Sequence, residues 1–561
     1  MHSLRFALAA LLTVAPGWAR QVTVTVLATT DLHGNIYPLD YFTGQPSQRG
    51  LAKIATLIES VRRETPNTLL IDCGDTIQGT PLESVYQSYV STGRLPLGLA
   101  FAGQPLRHDP MMLVMNQLGY RAMTLGNHEF NFGIENIERA RADANFPWLS
   151  ANTEAQAGAK PFDPYIVAAI DGVKVAVVGV TTPNIPNWEE PEHYQGYRFL
   201  DPRRAVESAL AALGRTERPD VVVVAAHMGL GSTGENQVSA IAAQVPGIDA
   251  IVFGHTHQQV AGERIGGTLV VQPKNWGMSL ARIDFDLEST DAGGWKLVDK
   301  RSRLIPVTSA TQPDPEVLSI ARPYHELTER YLNTPVAQSS VKLDGRLGRV
   351  EDSALVDAIQ AVQLHYAQAD VSFTALFNPH VKVSKGPVSV RQIAALYVYD
   401  NELYAIEGNG KMVKDALENA ARYFLPCPDP ACSHGPLINR QFAGFNYDMA
   451  EGVEYQIDLR RPPGDRVLHL RRNGRPLSPG EKLRLAVNNY RAGGSGGYSM
   501  FRGAKILWRS SQEIRDLIVA YYTEHKRLPN HPDRNWRILP PRAQRILEQE
   551  ALEDAARAPN R

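Results

Sequence analysis

The most informative segment of this chain is Ala122–Asn131, which reads AMTLGNHEFN. Its first four residues form a short apolar run that predicts a buried strand ending at Gly126. Asn127 and His128 then lie at the carboxyl end of that strand, where open α/β sheets carry their functional residues. An amide oxygen can bind a hard cation, and an imidazole can transfer a proton near neutral pH. Since a hydrogen-bonded turn would explain the segment alone equally well, its meaning depends on the other strand ends.

Residues of the same kind follow four other predicted strands in the first half of the chain. The strands are predicted at 21–28, 69–71, 221–225 and 250–253, and the residues that follow them are Asp31, His33, Asp75, His227, His255 and His257. Further apolar periodicity predicts helices at 50–63, 111–118 and 202–213. Strands that alternate with helices indicate an α/β first domain.

Together with Asn127, these residues have the composition of a metal site. Carboxylate, imidazole and amide ligands suit Mn, Fe, Co, Ni or Zn better than Ca or Mg alone. Packing could explain any one of the histidines. It does not explain the whole set, because burial without metal would cost on the order of several kcal/mol. We expect two divalent cations bridged by Asp75, with Gly74 leaving room for both.

Length and composition limit the class of protein. The chain has 561 residues, of which 43% are hydrophobic and 21% charged, so more than one domain is expected. A net charge of −1 argues against a general binder of duplex nucleic acid. No run after the N-terminal region is long and apolar enough to span a bilayer, so we expect no membrane partner. A monomer acting on small molecules is the simplest expectation.

Residues 1–20 resemble an export signal, with Arg5 before an apolar run at 6–14 and small residues around position 19. A buried N-terminal helix is the alternative. Export would place the protein in the periplasm or outside the cell. In such an oxidising compartment Cys427 and Cys432 could pair, whereas free loop thiols are the alternative. Cys73 is predicted to be a buried thiol.

The second half of the chain has its own elements. A helical linker is expected at 313–335, a second α/β domain at 336–530 and a helical tail at 531–561, which leaves 21–312 for the first domain. A helix is predicted at 413–423 and a strand at 483–487, followed by a glycine-rich loop at 493–497.

The motifs Asp-x-His, Gly-Asp, Gly-Asn-His-Glu, His-x-Gly and Gly-His-Thr-His occur in this order. They resemble those of calcineurin-like metallophosphoesterases, and residues from about 22 to 525 resemble the secreted 5'-nucleotidase family. The resemblance implies a four-layer α/β sandwich followed by a substrate-specificity domain, with His128 as the catalytic histidine. It implies that one metal is held by Asp31, His33, Asp75 and His257, and the other by Asp75, Asn127, His227 and His255.

The same resemblance implies a nucleotide site in the second domain. Tyr399 and Tyr490 would clamp the nucleobase between their rings. The neighbouring loop would complete the site with Arg491, Ala492, Gly493, Gly494 and Ser495, and Asn378 would lie near the phosphate. As an alternative, both tyrosines could be half-buried strand residues.

Three departures from the 5'-nucleotidase pattern narrow the expectation. Asn131 stands where that branch has an aspartate beside the catalytic histidine, residues 378–383 lack its phosphate-binding arginine, and Gly496 replaces its ribose-binding aspartate. These features are similar to the 2',3'-cyclic-nucleotide 2'-phosphodiesterase/3'-nucleotidase branch. The rival interpretations are a 5'-nucleotidase or nucleotide-sugar hydrolase, and a catalytically inactive nucleotide-binding surface protein on the same scaffold.

Overall fold

The computed structural model describes residues 20–557, apart from 100–105, 156, 157, 159, 292 and 400. Residues 1–19 of the expected export signal therefore lie outside the described part. Among the described residues, no helix has the length and apolar character needed to cross a membrane.

Two six-stranded sheets form the first domain. In spatial order the first sheet contains Trp295–Pro306, Ser279–Ser289, Gln21–Thr29, Thr68–Asp72, Ala122–Thr124 and Trp148–Leu149. The second contains Val260–Ile265, Thr268–Gln272, Ala250–Phe253, Val221–His227, Val173–Thr181 and Tyr165–Ile170. The strands that lead to the predicted metal ligands are parallel to one another in each sheet, so their carboxyl ends meet along one edge.

Helices cover the outer face of each sheet. The helices on the first sheet are Leu51–Glu64, Pro81–Thr92, Pro110–Leu118 and Ile134–Asp143, and those on the second are Pro202–Thr216 and Val238–Gln244. Valine and isoleucine side chains from both sheets fill the space between them. Strand Val221–His227 is buried along its whole length, as expected for a parallel strand covered on both faces. This arrangement confirms the predicted four-layer α/β sandwich.

A long helix, Pro315–Asn333, follows the first domain and is packed into its core. Asp314 caps its first turn, and Val317, Leu327 and Leu332 are buried. The hydroxyl of Tyr324 donates to the carbonyl of His108 at 2.6 Å, which ties the helix to the first domain.

The second domain contains a five-stranded and a four-stranded sheet. The five-stranded sheet has the order Asp448–Glu451, Val371–Ala375, Lys482–Asn488, Glu402–Asn409 and Ile506–Glu513. The four-stranded sheet has the order Arg475–Pro476, Val467–Arg472, Glu454–Asp458 and Trp536–Leu539. Its helices are Ala354–Ala367, Val390–Ala394, Gly410–Ala420, Asn489–Ala492, Ile514–His525 and Pro541–Arg557.

Two details of this domain bear on the sequence expectations. Strand Trp536–Leu539 pairs with Glu454–Asp458, and Ala543 and Leu547 of the last helix are buried, so residues after 530 contribute to the second domain's sheet and core. A disulfide joins Cys427 to Cys432, and Cys73 is a buried free thiol.

Candidate active site

The structure brings six of the predicted metal ligands together in two groups. Each group has one carboxylate and two imidazoles whose ligand atoms lie within 4.8 Å of one another: Asp31, His33 and His257 in one, and Asp75, His227 and His255 in the other. His227 is the last residue of its strand, and the other five residues follow the carboxyl end of a strand within a few positions. The two groups therefore form where the parallel strands of both sheets end.

Asp75 lies between the two groups. Its Oδ2 is 2.9 Å from His227 Nε2 in its own group and 3.9 Å from His33 Nε2 in the other. Its Oδ1 accepts the backbone N–H of His128 at 2.8 Å. A single carboxylate therefore faces imidazoles from both groups.

The donor atoms fit two cations. The Nε2 atoms of His33 and His257 face each other at 3.1 Å, as two ligands of one cation would. Within the described part of the chain, Asn127 Oδ1 is a buried polar atom without a hydrogen-bond partner. A buried polar atom without a partner costs about 1–3 kcal/mol, and a metal ion would remove that cost. The set of carboxylate, imidazole and amide ligands suits a borderline divalent metal.

The backbone of the ligand loops is strained. Asp31, His33, Asp75, His255 and His257 all have left-handed backbone conformations, with φ between 48° and 71°. Non-glycine residues seldom adopt this conformation, which clusters at functional sites. Gly74 was expected to leave room for the metals. In the structure the backbone of Gly126 packs closely against it, since a Cβ on Gly74 would lie 2.5 Å from the amide nitrogen of Gly126.

Buried polar groups hold the ligands from behind. Glu129 is fully buried, and its carboxylate accepts the N–H groups of Asp75, Gly126 and Thr76 at 2.6–2.9 Å. The Nδ1 atoms of His33 and His227 lie 3.0 and 2.7 Å from the carbonyls of Gln78 and Cys73. These contacts place the proton on Nδ1 and leave Nε2 free to bind metal.

Burial and neighbouring charges together determine the charge of the site. Burial lowers the pKa of His33 to about 4 and that of His255 to about 3, so both imidazoles are in the neutral, metal-binding form at pH 7. Burial alone would raise the pKa of Asp31, but His257 and His227 outweigh it and hold that pKa at about 2. Behind the site, burial raises the pKa of Asp72 to about 7.

His128 lies beside the metal ligands and is part of a hydrogen-bonded chain. Its ring centroid is 5.2 Å from that of His33. His128 Nδ1 is 2.7 Å from Asn131 Oδ1, and Asn131 Nδ2 donates to Glu189 Oε1 at 2.6 Å. Glu189 follows strand Val173–Thr181 and was not predicted as a site residue.

The second domain exposes three aromatic rings near one another. Tyr399 and Tyr490 are 43% and 44% exposed, and neither lies in a strand: Tyr399 precedes strand Glu402–Asn409 and Tyr490 lies in helix Asn489–Ala492. Phe445 is 41% exposed, and its ring centroid is 6.3 Å from that of Tyr399. Phe377 packs edge-on against Tyr399 at 5.1 Å. Large exposed aromatic rings are typical of a surface that stacks on a planar ligand.

Arg491 supports this surface from below. Its guanidinium is buried and donates to both oxygens of Asp448, at 2.7 and 2.9 Å, and to the carbonyl of Phe445 at 2.6 Å. The arginine therefore fixes the Phe445 loop and lies 5.3 Å from the ring of Tyr490. Ala492 and Ser495 are partly exposed, Gly493 is exposed and Gly494 is buried. Asn378 closes its own turn, since its Oδ1 accepts the N–H of His380 at 3.0 Å.

Comparison with known proteins gives the family. Residues 24–259 match the calcineurin-like phosphoesterases, and residues 335–503 match the 5'-nucleotidase C-terminal domain. The chain is 30% identical to the 2',3'-cyclic-nucleotide 2'-phosphodiesterase/3'-nucleotidase of Salmonella typhimurium, over 93% of this chain and 90% of that protein. This chain belongs to the 5'-nucleotidase family of calcineurin-like phosphoesterases.

Other members of the 5'-nucleotidase family match over different lengths. The trifunctional nucleotide phosphoesterase YfkN of Bacillus subtilis is 30% identical over 93% of this chain, but this chain spans only 39% of YfkN. A crystal structure from Staphylococcus aureus, titled as a candidate 5'-nucleotidase, superimposes with a TM-score of 0.75 at 26% identity. It covers 92% of this chain and 100% of its own. Calcineurin-like phosphoesterases are metalloenzymes, so the family agrees with the two groups of ligands found here.

Sequence reasoning missed several residues of this site. Glu129 lies inside the quoted Gly-Asn-His-Glu motif, and Asp72 directly precedes Cys73, so both were within reach of a local argument. Glu189 and Phe445 are far from their partners in sequence, 58 residues in the case of Glu189 and Asn131. Only the tertiary fold reveals those contacts.

Proposed function

We propose that this phosphoesterase hydrolyses 2',3'-cyclic nucleotides to 3'-nucleotides and then 3'-nucleotides to nucleoside and phosphate. The name of the Salmonella relative and the three departures at Asn131, residues 378–383 and Gly496 support this substrate class. Exposed Tyr399 and Tyr490 would stack on the base, while the ligand groups of the first domain would receive the phosphate.

The observation that carries the proposal is the conformation of Gly496. Its φ is +68°, and a Cβ there would lie 2.5 Å from Arg491 Nη1 and even closer to Asn446 Oδ1. A side chain at this position would require Asn446 and Arg491 to move, so the loop as folded is not shaped for the carboxylate with which 5'-nucleotidases are expected to hold both ribose hydroxyls. Such a carboxylate would be misplaced for a substrate whose 2' or 3' oxygen carries the phosphate.

The chain's own residues have defined tasks in this reaction. Asp31, His33, Asp75 and His257 would hold one divalent cation, and Asp75, Asn127, His227 and His255 the other. When bound, such cations activate water and offset charge on the phosphate. His128 would stabilise the charge that develops on phosphorus oxygens and protonate the leaving ribose oxygen from its imidazole.

A substrate comparison tests the proposal. The purified protein with added Mn²⁺ is assayed for release of phosphate from 3'-AMP and 5'-AMP, and for conversion of 2',3'-cyclic AMP. We expect kcat/KM for 3'-AMP to exceed that for 5'-AMP at least about tenfold, which corresponds to about 1.4 kcal/mol. Preference for 5'-AMP would assign the protein to the 5'-nucleotidase branch. Binding of nucleotide without any phosphate release would make it an inactive binding protein.

We also propose that the protein acts in an oxidising compartment, the periplasm or the cell exterior. The disulfide between Cys427 and Cys432 supports this location, because disulfides are rare in cytosolic proteins. Mass spectrometry of the exported protein tests the cleavage expected near residue 20. A mature chain that retains Met1 would contradict it.

A further inference from the structure

A buried carboxylate lies behind the proposed catalytic histidine, on a segment distant in sequence. Glu189 is 5% exposed, and its Oε1 accepts the Nδ2 hydrogen of Asn131 at 2.6 Å. Asn131 Oδ1 in turn lies 2.7 Å from His128 Nδ1. The three side chains thus form a continuous chain of hydrogen bonds that ends at the imidazole.

The chemistry of the three groups fixes the direction of these bonds. A carboxylate can only accept, so Asn131 must turn its amide hydrogens to Glu189 and its oxygen to His128. The oxygen then requires a hydrogen on His128 Nδ1. Without Glu189, either end of the asparagine amide could face the imidazole, and His128 could adopt either tautomer.

The structure holds Glu189 in place from its other side. Its Oε2 lies 3.0 Å from His193 Nδ1, and its backbone N–H donates to the carbonyl of Ile185 at 3.0 Å. The neighbouring Glu190 points elsewhere, since its Oε2 forms an ion pair at 2.9 Å with Arg509 of the second domain. Of the two adjacent glutamates, only Glu189 contacts Asn131 among the described hydrogen bonds.

We propose that Glu189 is a positioning residue for the hydrolysis, which orients Asn131 and thereby sets the tautomer and ring orientation of His128. The inference rests on one part of the proposed function, phosphoester hydrolysis at this site, and does not depend on which nucleotide is the substrate. It supplies, one residue further from the imidazole, the carboxylate that is absent at position 131. Asn131 transmits its effect because an amide can accept at one end while it donates at the other.

The proposal is tested by exchanging the carboxylate of Glu189 and the amide of Asn131, first one at a time and then together. Glu189→Gln retains the shape but can present either hydrogens or oxygen to Asn131, and we expect kcat to fall about tenfold with KM unchanged. Asn131→Asp places two carboxylates against each other at a 2.6 Å contact, and we expect a similar loss. The double variant Asn131→Asp, Glu189→Gln again pairs one carboxylate, which can only accept, with one amide, which can donate to it. Its kcat should therefore recover to within about threefold of the parent. Full loss of a general acid costs more, roughly 10²–10⁴-fold.

The matched control is Glu190→Gln, which removes the adjacent charge and its ion pair with Arg509 but leaves the contact with Asn131. It should keep kcat within about twofold, because the pair with Arg509 lies outside the chain of hydrogen bonds that ends at His128. Melting temperature and metal content are measured for every variant, and we expect both to match the parent in Glu189→Gln and in the double variant. The buried pair of carboxylates in Asn131→Asp should lower the melting temperature of that variant. A purely structural role would lower kcat in Glu189→Gln only together with the melting temperature or the metal content.

All variants are assayed with p-nitrophenyl phosphate as well as 3'-AMP. Failure of the nucleotide substrate alone would overturn the proposed function and leave this test intact. Glu189→Gln with the parent's kcat on p-nitrophenyl phosphate would overturn the positioning role. Losses that multiply in the double variant would overturn it as well, because neighbours that act through each other are not additive.

Discussion

The two domains present their functional residues in opposite ways. In the first domain Asp31, Asp75 and His227 are at most 1% exposed and emerge from strand ends. In the second, Tyr399 and Tyr490 are more than 40% exposed; Tyr399 lies on a connection before strand Glu402–Asn409, and Tyr490 lies in the short helix Asn489–Ala492. Reactive groups must be held within a fraction of an ångström, whereas a stacking surface needs only an accessible ring. The difference suggests that the first domain supplies chemistry and the second selects the substrate.

The largest effect is expected for Asp75→Asn, which breaks the first domain's site at its centre. Asp75 is the carboxylate that faces imidazoles of both ligand groups. Activity should fall by more than about a hundredfold, since loss of an outer partner of a metal ligand alone costs about 10–100-fold. Metal analysis should find at least one ion lost per chain. Two tightly held ions in this variant would contradict the bridging role.

A smaller effect, a loss of metal affinity, is expected for Glu129→Gln, which leaves every proposed metal ligand in place. Glu129 accepts three backbone N–H groups around the Asp75 loop, and an amide nitrogen at one of its two oxygens cannot accept them. We expect metal affinity to weaken about 10–100-fold, measured by competition with a chelator. If affinity is unchanged while the melting temperature falls, Glu129 stabilises the fold and not the metal site.

Tyr399→Ala and Tyr490→Ala address the second domain. Each should raise KM for 3'-AMP about tenfold, because stacking contributes roughly 1–3 kcal/mol per base. Hydrolysis of p-nitrophenyl phosphate, which has no nucleobase, should hardly change. The double variant should lose less binding free energy for 3'-AMP than the two single variants added together, since both rings would contact one base. Equal damage to both substrates would mean that the tyrosines are structural.

The contrast between the domains also explains what the sequence could predict. The metal ligands could be predicted from the sequence because each comes shortly after an apolar run. Parallel strands bring such positions to one edge of a sheet. The alternation of strands and helices predicted an α/β domain, and the family resemblance alone implied its four-layer arrangement. Glu189, Phe445 and the strand Trp536–Leu539 were missed, because their partners are distant in sequence and no local periodicity marks them.

The second domain contains a cluster of three aspartates, in which the pKa of a carboxyl group is shifted upward. Asp352, Asp357 and Asp533 of the second domain have ligand atoms within 4.8 Å of one another, but no histidine accompanies them. Asp357 Oδ2 accepts the backbone N–H of Asp533 at 3.2 Å. Burial, with Asp352 and Asp533 nearby, raises the pKa of Asp357 to about 8. At the ligand groups of the first domain, by contrast, neighbouring histidines lower the pKa of Asp31 and Asp75 although burial alone would raise it.

The smallest effect is therefore a pH-dependent change in stability for Asp357→Asn. The pKa of an aspartate in the unfolded chain is about 3.9. Below that pH both states are protonated, and between about 4 and 8 the folded protein keeps a proton that the unfolded chain has lost. Folding stability of the parent therefore falls as pH rises through this range. Asparagine keeps an acceptor for the N–H of Asp533 and does not titrate, so its advantage should grow with pH.

Thermal unfolding at pH 5, 7 and 9 measures this advantage. We expect Asp357→Asn to melt close to the parent at pH 5 and about 1–3 °C above it at pH 9, with turnover unchanged. A shift of this size corresponds to about 1 kcal/mol in a large domain. Asp415→Asn, on the exposed face of helix Gly410–Ala420, is the control and should show no such trend. A gain that is equal at all three pH values would come from packing, and the acidic cluster would then not be the cause.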